Sequence, residues 1–256
     1  SELQSEHGVT GDILEIGVYR GKSAVLLGYL RRERERLVLC DPFKQPDTPT
    51  GAAPTRSAAA DEFVWYPEVT RDEFLTTYGR YHAQPPVLYQ CPSSELATHE
   101  NVRTFRLIHI DGSHAYENVR SDIGLASRML LPQGLVILDD YRSFHTPGAS
   151  AAIWEAVVND GLCPLWFTPD KMYASWGLDI GDVRKPLQRL FRQILGVEAV
   201  YETVRGHEVL IALPRDYGQV RASNKDRLLT ALLPPALANL PRHLRSLDQL
   251  WRHAEP

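Results

Sequence analysis

Apolar residues fall along this chain in short unbroken runs, separated by longer stretches with helical spacing. The runs are Ile13, Leu14 and Ile16; Leu37 to Cys40; Val87 to Tyr89; Phe105 to Ile110; and Leu135 to Leu138. Runs of this length, apolar on both faces, suit parallel strands covered on each side. Between them, Ser23 to Arg36, Asp72 to Tyr81, Glu117 to Leu130, Ser150 to Asn159 and Lys185 to Leu195 read as helices. Strand and helix in alternation predict an α/β fold with a mostly parallel sheet and helices on both faces. Leu131 to Gly134 reads as the turn into the fifth strand, and Leu162 to Trp176 as strand and turn material around Pro164 and Pro169. Tyr201 to Val204 and Glu208 to Leu213 flank Arg205-Gly206-His207, a hairpin whose second arm is a late edge strand. After Lys225, leucines 228, 229, 232, 233, 244, 247 and 250 with Trp251 form two short amphipathic helices, split by Pro234, Pro235 and Pro241.

The first strand leads into the most informative stretch. Gly17 and Gly21 bracket a turn before the first helix, where glycine lets backbone N–H groups approach a ligand. Glu15 is placed at the strand's carboxyl end, the edge where open α/β sheets bind ligands. The spacing is Glu-x-Gly-x-x-x-Gly, not the Gly-x-Gly-x-x-Gly of a pyrophosphate cradle. That favours a nucleoside-type cofactor and disfavours a nicotinamide oxidoreductase, the nearest rival enzyme class. Asp41 ends the second strand, where an acid commonly takes ribose hydroxyls. Ser93 and Ser94 follow the third strand as helix caps or base contacts.

Two central strands end in carboxylates, Asp111 on one and Asp139-Asp140 on the next. Three converging carboxylates repel unless protons or a cation relieve them, and oxygen ligands of this kind suit Mg²⁺ or Ca²⁺. His114 lies three residues beyond Asp111 and is the first candidate for a base; His145, in the next loop, is the second. His109, inside a strand, reads as a core histidine with its hydrogen bonds satisfied.

Composition narrows the partners. A net charge of −4 gives no electrostatic case for nucleic acid. No apolar run approaches a membrane span, and no signal-like stretch opens the sequence. Cys40, Cys91 and Cys163 make no disulfide framework, so a cytoplasmic setting is expected.

Four motifs in order carry a resemblance: Leu-Glu-Ile-Gly-Val-Tyr-Arg-Gly-Lys-Ser-Ala24, Leu-Cys-Asp41, Ile-Asp-Gly-Ser-His-Ala-Tyr116 and Gly-Leu-Val-Ile-Leu-Asp-Asp140. From Gly11 to Tyr141 the chain resembles class I S-adenosylmethionine-dependent methyltransferases, in particular metal-dependent catechol O-methyltransferase-like enzymes and bacterial relatives acting on natural products and sugars. The resemblance implies a Rossmann-like seven-stranded sheet with a C-terminal helical extension. It divides the chain into a methyltransferase domain, 1–218, with 43–84 as a candidate lid insertion, and an extension, 219–256. It implies S-adenosylmethionine held by Glu15, Gly17, Tyr19, Gly21, Ser23, Asp41, Ser93 and Asp111. It further implies Mg²⁺ or another divalent ion on Asp111, Asp139 and Asp140, and His114 with Asp111 as the catalytic pair. The acceptor would be a small-molecule hydroxyl, with a homodimer as one use of the C-terminal helices. A non-catalytic scaffold of the same fold is the remaining alternative. The chain departs from catechol O-methyltransferase in carrying Asp140 for an asparagine and His114 for a lysine.

Overall fold

Each apolar run becomes a strand. The computed structural model describes residues 4–5, 8–43, 69–99, 104–193 and 197–214. Strands β1 (Asp12–Ile16), β2 (Leu37–Cys40), β3 (Val87–Tyr89), β4 (Phe105–Ile110) and β5 (Leu130–Asp139) pair in parallel in the spatial order β3-β2-β1-β4-β5. Helices α1 (Lys22–Leu30), α2 (Arg71–Gly79), α3 (Tyr116–Met129), α4 (Pro147–Asn159) and α5 (Ile180–Gln193) cover the two faces. The strand order reverses between β1 and β4, so the crevice at their carboxyl ends is the fold's natural ligand site.

Alternation along the strands divides the core. Leu14, Val38, Ile108, Val136 and Leu138 pack with α3 and α4; Ile13, Leu37, Leu39, Leu107 and Leu135 pack with α1, α2 and α5. Both faces are apolar, which is why the sequence shows continuous runs.

Among the described residues the sheet has nine strands, not seven. Strands β6 (Cys163–Phe167) and β7 (Lys171–Ser175) form a hairpin whose second arm lies antiparallel to β5. Strands β8 (Val197–Val204) and β9 (His207–Pro214) form the expected hairpin, but its first arm is the edge strand and not its second, because β9 joins β6 in parallel. The hairpin turn is tight because Arg205 and Gly206 both take positive φ. Residues 44–68 of the candidate lid and the expected extension 219–256 lie outside the described residues.

Several boundaries moved: α5, expected over Lys185 to Leu195, runs Ile180–Gln193, and β8 begins at Val197 and not at Tyr201. Strand β5 begins at Leu130, and the expected turn is a bulge: pairing jumps from Phe105↔Leu130 to Leu107↔Leu135. Helix α1 stops at Leu30, because Arg31 turns extended. The charged run that follows is a loop with long-range partners, not a solvated helix end. Arg36 pairs with Asp12 at 2.6 Å, and Glu35 reaches Arg106. Arg106 is fully buried in β4. Its guanidinium donates to Glu35 Oε1 (2.7 Å) and Oε2 (2.6 Å), Gln4 Oε1 (2.7 Å) and the Leu30 carbonyl (2.8 Å). The knot ties α1, the loop after it and the N-terminal segment to the sheet's amino edge, away from the ligand crevice.

Removing one partner of such a pair strands the other in the core. Arg106→Ala is expected to cost about 3 kcal/mol in urea unfolding, since Glu35 loses its two short bonds and is left with Arg32, whose N–H donates at 2.9 Å and whose guanidinium lies 3.5 Å away. A loss below about 1 kcal/mol would show that water reaches the site and relieves it.

Candidate functional site

The crevice is built by backbone first. Gly17 takes φ 86°, and a Cβ there would stand 2.2 Å from the carbonyl oxygen of Asp111. Only glycine lets β1 and β4 end this close together. The turn is then held by Asp41. Its Oδ2 accepts from the N–H groups of Val18 (2.8 Å) and Tyr19 (2.9 Å), and its Oδ1 from that of Phe43 (2.7 Å). Tyr19 is thereby held at φ 50°. Gly21 caps α1 without a side-chain bond, so the first N–H groups of that helix face the crevice uncapped. Ser23 lies on this first turn. Ser93 opens a short 3-10 turn after β3 and lies close to Asp122, a buried acid of α3.

One side of the crevice is a polar seam across the sheet. Period-two alternation puts Glu15 of β1, His109 of β4, Asp139 of β5 and Lys171 of β7 on one face, with Asp111 just beyond β4. Glu15 is fully buried, and its Oε1 lies 2.9 Å from His109 Nδ1. Its Oε2 has no hydrogen-bond partner; the Ser23 hydroxyl lies near without closing a bond of normal geometry. Burial pushes the Glu15 carboxyl well above the ordinary range, with Ser23 opposing. His109 Nε2 faces Lys171 Nζ at 2.9 Å, so Nε2 accepts and Nδ1 carries the proton toward Glu15. Burial, then Lys171, lowers His109 to about 3, and it stays neutral, the satisfied core histidine expected.

Lys171 Nζ lies 2.6 Å from Asp139 Oδ2 and 3.8 Å from Asp111 Oδ2. Burial opposes the Lys171 charge, but the two carboxylates outweigh it and raise its pKa. Burial would also raise Asp139, yet Lys171 and His109 hold it down at about 2. Burial pushes Asp111 up, with Asp139 adding to the shift and Lys171 opposing it.

Asp140 goes elsewhere. With φ 58°, its N–H donates to Asp139 Oδ1 (3.0 Å) while its own Oδ2 lies 3.1 Å from His114 Nε2. Among the described residues, the three-member cluster with metal-ligand spacing is His109, Asp111 and Asp139, with ligand atoms within 4.8 Å of one another. Asp140 is outside it. A small, shallow cleft is lined by Asp111, His114, Asp139 and Asp140 over an apolar floor. His145 stands at its margin, 6.4 Å ring to ring from His114, and donates to or accepts from Ser143 Oγ at 2.8 Å. Sequence reading missed Lys171 and Asp122, and read Glu15 and His109 apart. The signal for the seam was in the alternation of β1, β4 and β5; for Lys171 it needed the antiparallel pairing with β5.

Residues 14–141 match a family described as a methyltransferase domain, half of the chain. The chain belongs to that methyltransferase family. It is of the class I, S-adenosylmethionine-dependent type, which removes the nicotinamide reading. The methyltransferase is also similar in fold to the O-methyltransferase NovP, at TM-score 0.50 and 18% identity over 68% of this chain and 75% of that one. CalS11, a TDP-rhamnose 3'-O-methyltransferase of calicheamicin biosynthesis, matches at TM-score 0.44 and 19% identity over 69% of this chain and 79% of that one. An O-methyltransferase from Klebsiella pneumoniae, itself known only as putative by name, gives TM-score 0.43 and 19% identity over 68% and 77% of the two chains. Scores of that size add nothing to the fold assignment. No curated protein sequence matches the methyltransferase. No helix among its described residues is long and apolar enough to cross a membrane.

Gly17→Ala meets both a backbone oxygen and a left-handed φ. The variant is expected to lose more than about 1 kcal/mol of stability and to lose S-adenosylhomocysteine binding in calorimetry. Asp122 is raised to about 6 by burial, Ser93 opposing. The folded protein therefore keeps this proton where the unfolded chain has released it, and stability falls as pH rises from about 4 to about 6, by about 3 kcal/mol in all. Asp122→Asn should flatten that limb of a melting-temperature profile; an unchanged limb assigns it to another group.

Proposed function

We propose that the methyltransferase transfers the methyl group of S-adenosylmethionine to a hydroxyl oxygen of a small molecule. The observation that carries this is the adjacency of two features at one sheet edge: the Asp41-held glycine turn and the His114–Asp140 pair in the cleft beside it. S-adenosylmethionine supplies an electrophilic methyl on a sulfonium when bound. The residues fit it. The uncapped start of α1, with Tyr19 and Ser23, faces a carboxylate-sized group; Asp41 Oδ1 keeps a lone pair for a ribose hydroxyl; Ser93 lies where an adenine edge would come. Glu15 acts from beneath, as the buried floor of the turn.

The protein's work is to hold the acceptor oxygen in line and to take its proton. His114 Nε2–H donates to Asp140 Oδ2 at 3.1 Å, so the proton is taken at Nδ1 and Asp140 stabilises the imidazolium formed. Asp111, at the cleft wall, orients the acceptor. A sugar, catechol or other natural-product hydroxyl is the acceptor this reading expects, its oxygen set against the polar rim of the cleft; NovP, similar in fold, is by name an O-methyltransferase. The cytoplasmic setting, the lid role of 43–84, the helical extension 219–256 and a homodimer rest on sequence alone.

The divalent ion implied by the resemblance does not fit this arrangement. Its donors would be Asp111, Asp139 and Asp140, but Asp140 is turned to His114, and Asp139 already faces an ammonium at 2.6 Å. No step is assigned to such an ion.

Labelled methyl transfer to a panel of catechols and sugar hydroxyls tests the reading, alongside S-adenosylhomocysteine calorimetry. His114→Ala should lower kcat about 10²–10⁴-fold and leave S-adenosylhomocysteine affinity unchanged. Lost affinity with intact kcat would make His114 a binding residue, and failure to bind the cofactor would end the methyl-transfer reading.

A further inference from the structure

The donor atoms that would hold a divalent ion are all turned to one side chain. Lys171 Nζ lies 2.6 Å from Asp139 Oδ2, 2.9 Å from His109 Nε2 and 3.8 Å from Asp111 Oδ2. The arrangement is built by register. Strand β7 runs antiparallel to β5 with Asp139 opposite Lys171, so the two side chains leave the sheet on the same face as direct cross-strand neighbours. Two positions along, Tyr173 stacks on Trp166, with ring centroids 4.3 Å apart, and fixes the strand beneath the lysine. His109 has one lone pair at Nε2, and it is directed at Nζ. Its other nitrogen is held by Glu15, so the ring cannot turn to offer a second donor without breaking that bond.

We propose that Lys171 is the resident cation of this site and takes the place of a divalent metal, with methyl transfer independent of added metal ions. The proposal rests on the methyltransferase reading above and deepens it. A divalent ion bound to Asp139 and Asp111 at the usual distance of about 2.0–2.6 Å would have to share the same oxygens with a like-charged ammonium that Asp139 and His109 already hold at 2.6 and 2.9 Å. One positive charge at this place does what the carboxylates require: it lets Asp139 stay ionised beside Asp111 and holds both carboxylates still at the cleft wall. Lys171 is therefore a positioning residue. It acts through Asp111 and Asp139 and lends no empty coordination site to the acceptor.

The test uses the full chain, treated with a chelator, and Mn²⁺ as the probe, followed by the loss of its free-ion electron paramagnetic resonance signal. Wild type and Lys171→Arg are expected to leave that signal unchanged. Lys171→Met is expected to take up Mn²⁺ at least about tenfold more tightly, because removing the ammonium exposes two carboxylates and an imidazole. Wild-type turnover should survive EDTA and ignore added Mg²⁺. Wild-type protein that binds Mn²⁺ as tightly as Lys171→Met, or whose turnover is lost to EDTA and restored by Mg²⁺, overturns the proposal. Should Lys171→Met fail to fold by circular dichroism, the wild-type titration decides alone, with Asp139→Asn as its control: Mn²⁺ uptake that this variant abolishes counts against a resident lysine. Mn²⁺ binding needs no turnover, and S-adenosylhomocysteine binding needs no Mn²⁺, so a failure here is distinct from a failure of the methyltransferase reading.

Discussion

The hydrogen-bonded line Glu15–His109–Lys171–Asp139 is the constraint on which the site depends. It crosses β1, β4, β7 and β5 at the level where a doubly wound sheet gives way to its ligand crevice. Polar groups there face a low-dielectric sheet on one side and an open cleft on the other. Each must find its partner across a strand boundary, because the strand's own neighbours are apolar. A shift of any of these strands by one residue would turn its member of the line to the opposite face. Sheet register and site chemistry are thus the same specification.

Much of this architecture is legible in the sequence. Both-sided apolar runs can only be strands covered by helices, so β1 to β5 and the class of fold follow from patterning. The turn between β1 and α1 follows from Gly17 and Gly21. What patterning does not contain is pairing beyond the parallel half. Nothing local in Val197–Val204 or His207–Pro214 says that β9 will join β6, so the hairpin could be read but not its place in the sheet. The early end of α1 was also hidden, since Arg31 to Arg36 are good helix formers whose true partners, Asp12 and Arg106, lie far along the chain.

The candidate site divides in the same way. Gly17, Asp41, Asp111 and Asp139 could be placed at the crevice because each follows a strand that could itself be read. Asp140 could be placed but not aimed: a residue at φ 58° points where no strand alternation predicts. Lys171 opens a short arm after Pro169 and Asp170, and only the antiparallel match with β5 gives it a role. Charges that act across a sheet are read from topology, whereas those that act along one strand are read from order.

The carboxylate that ends β2 has a wider meaning than support. By gathering the amides of Val18, Tyr19 and Phe43, Asp41 gives the loop on either side of it a common hinge pin. On the function proposed, a nucleoside leaning on this acid at one end of the crevice would tug on the backbone that meets an amino acid at the other. The two halves of a long ligand are weighed together, so that adenosine or methionine alone would be a poor measure of what the intact molecule gains.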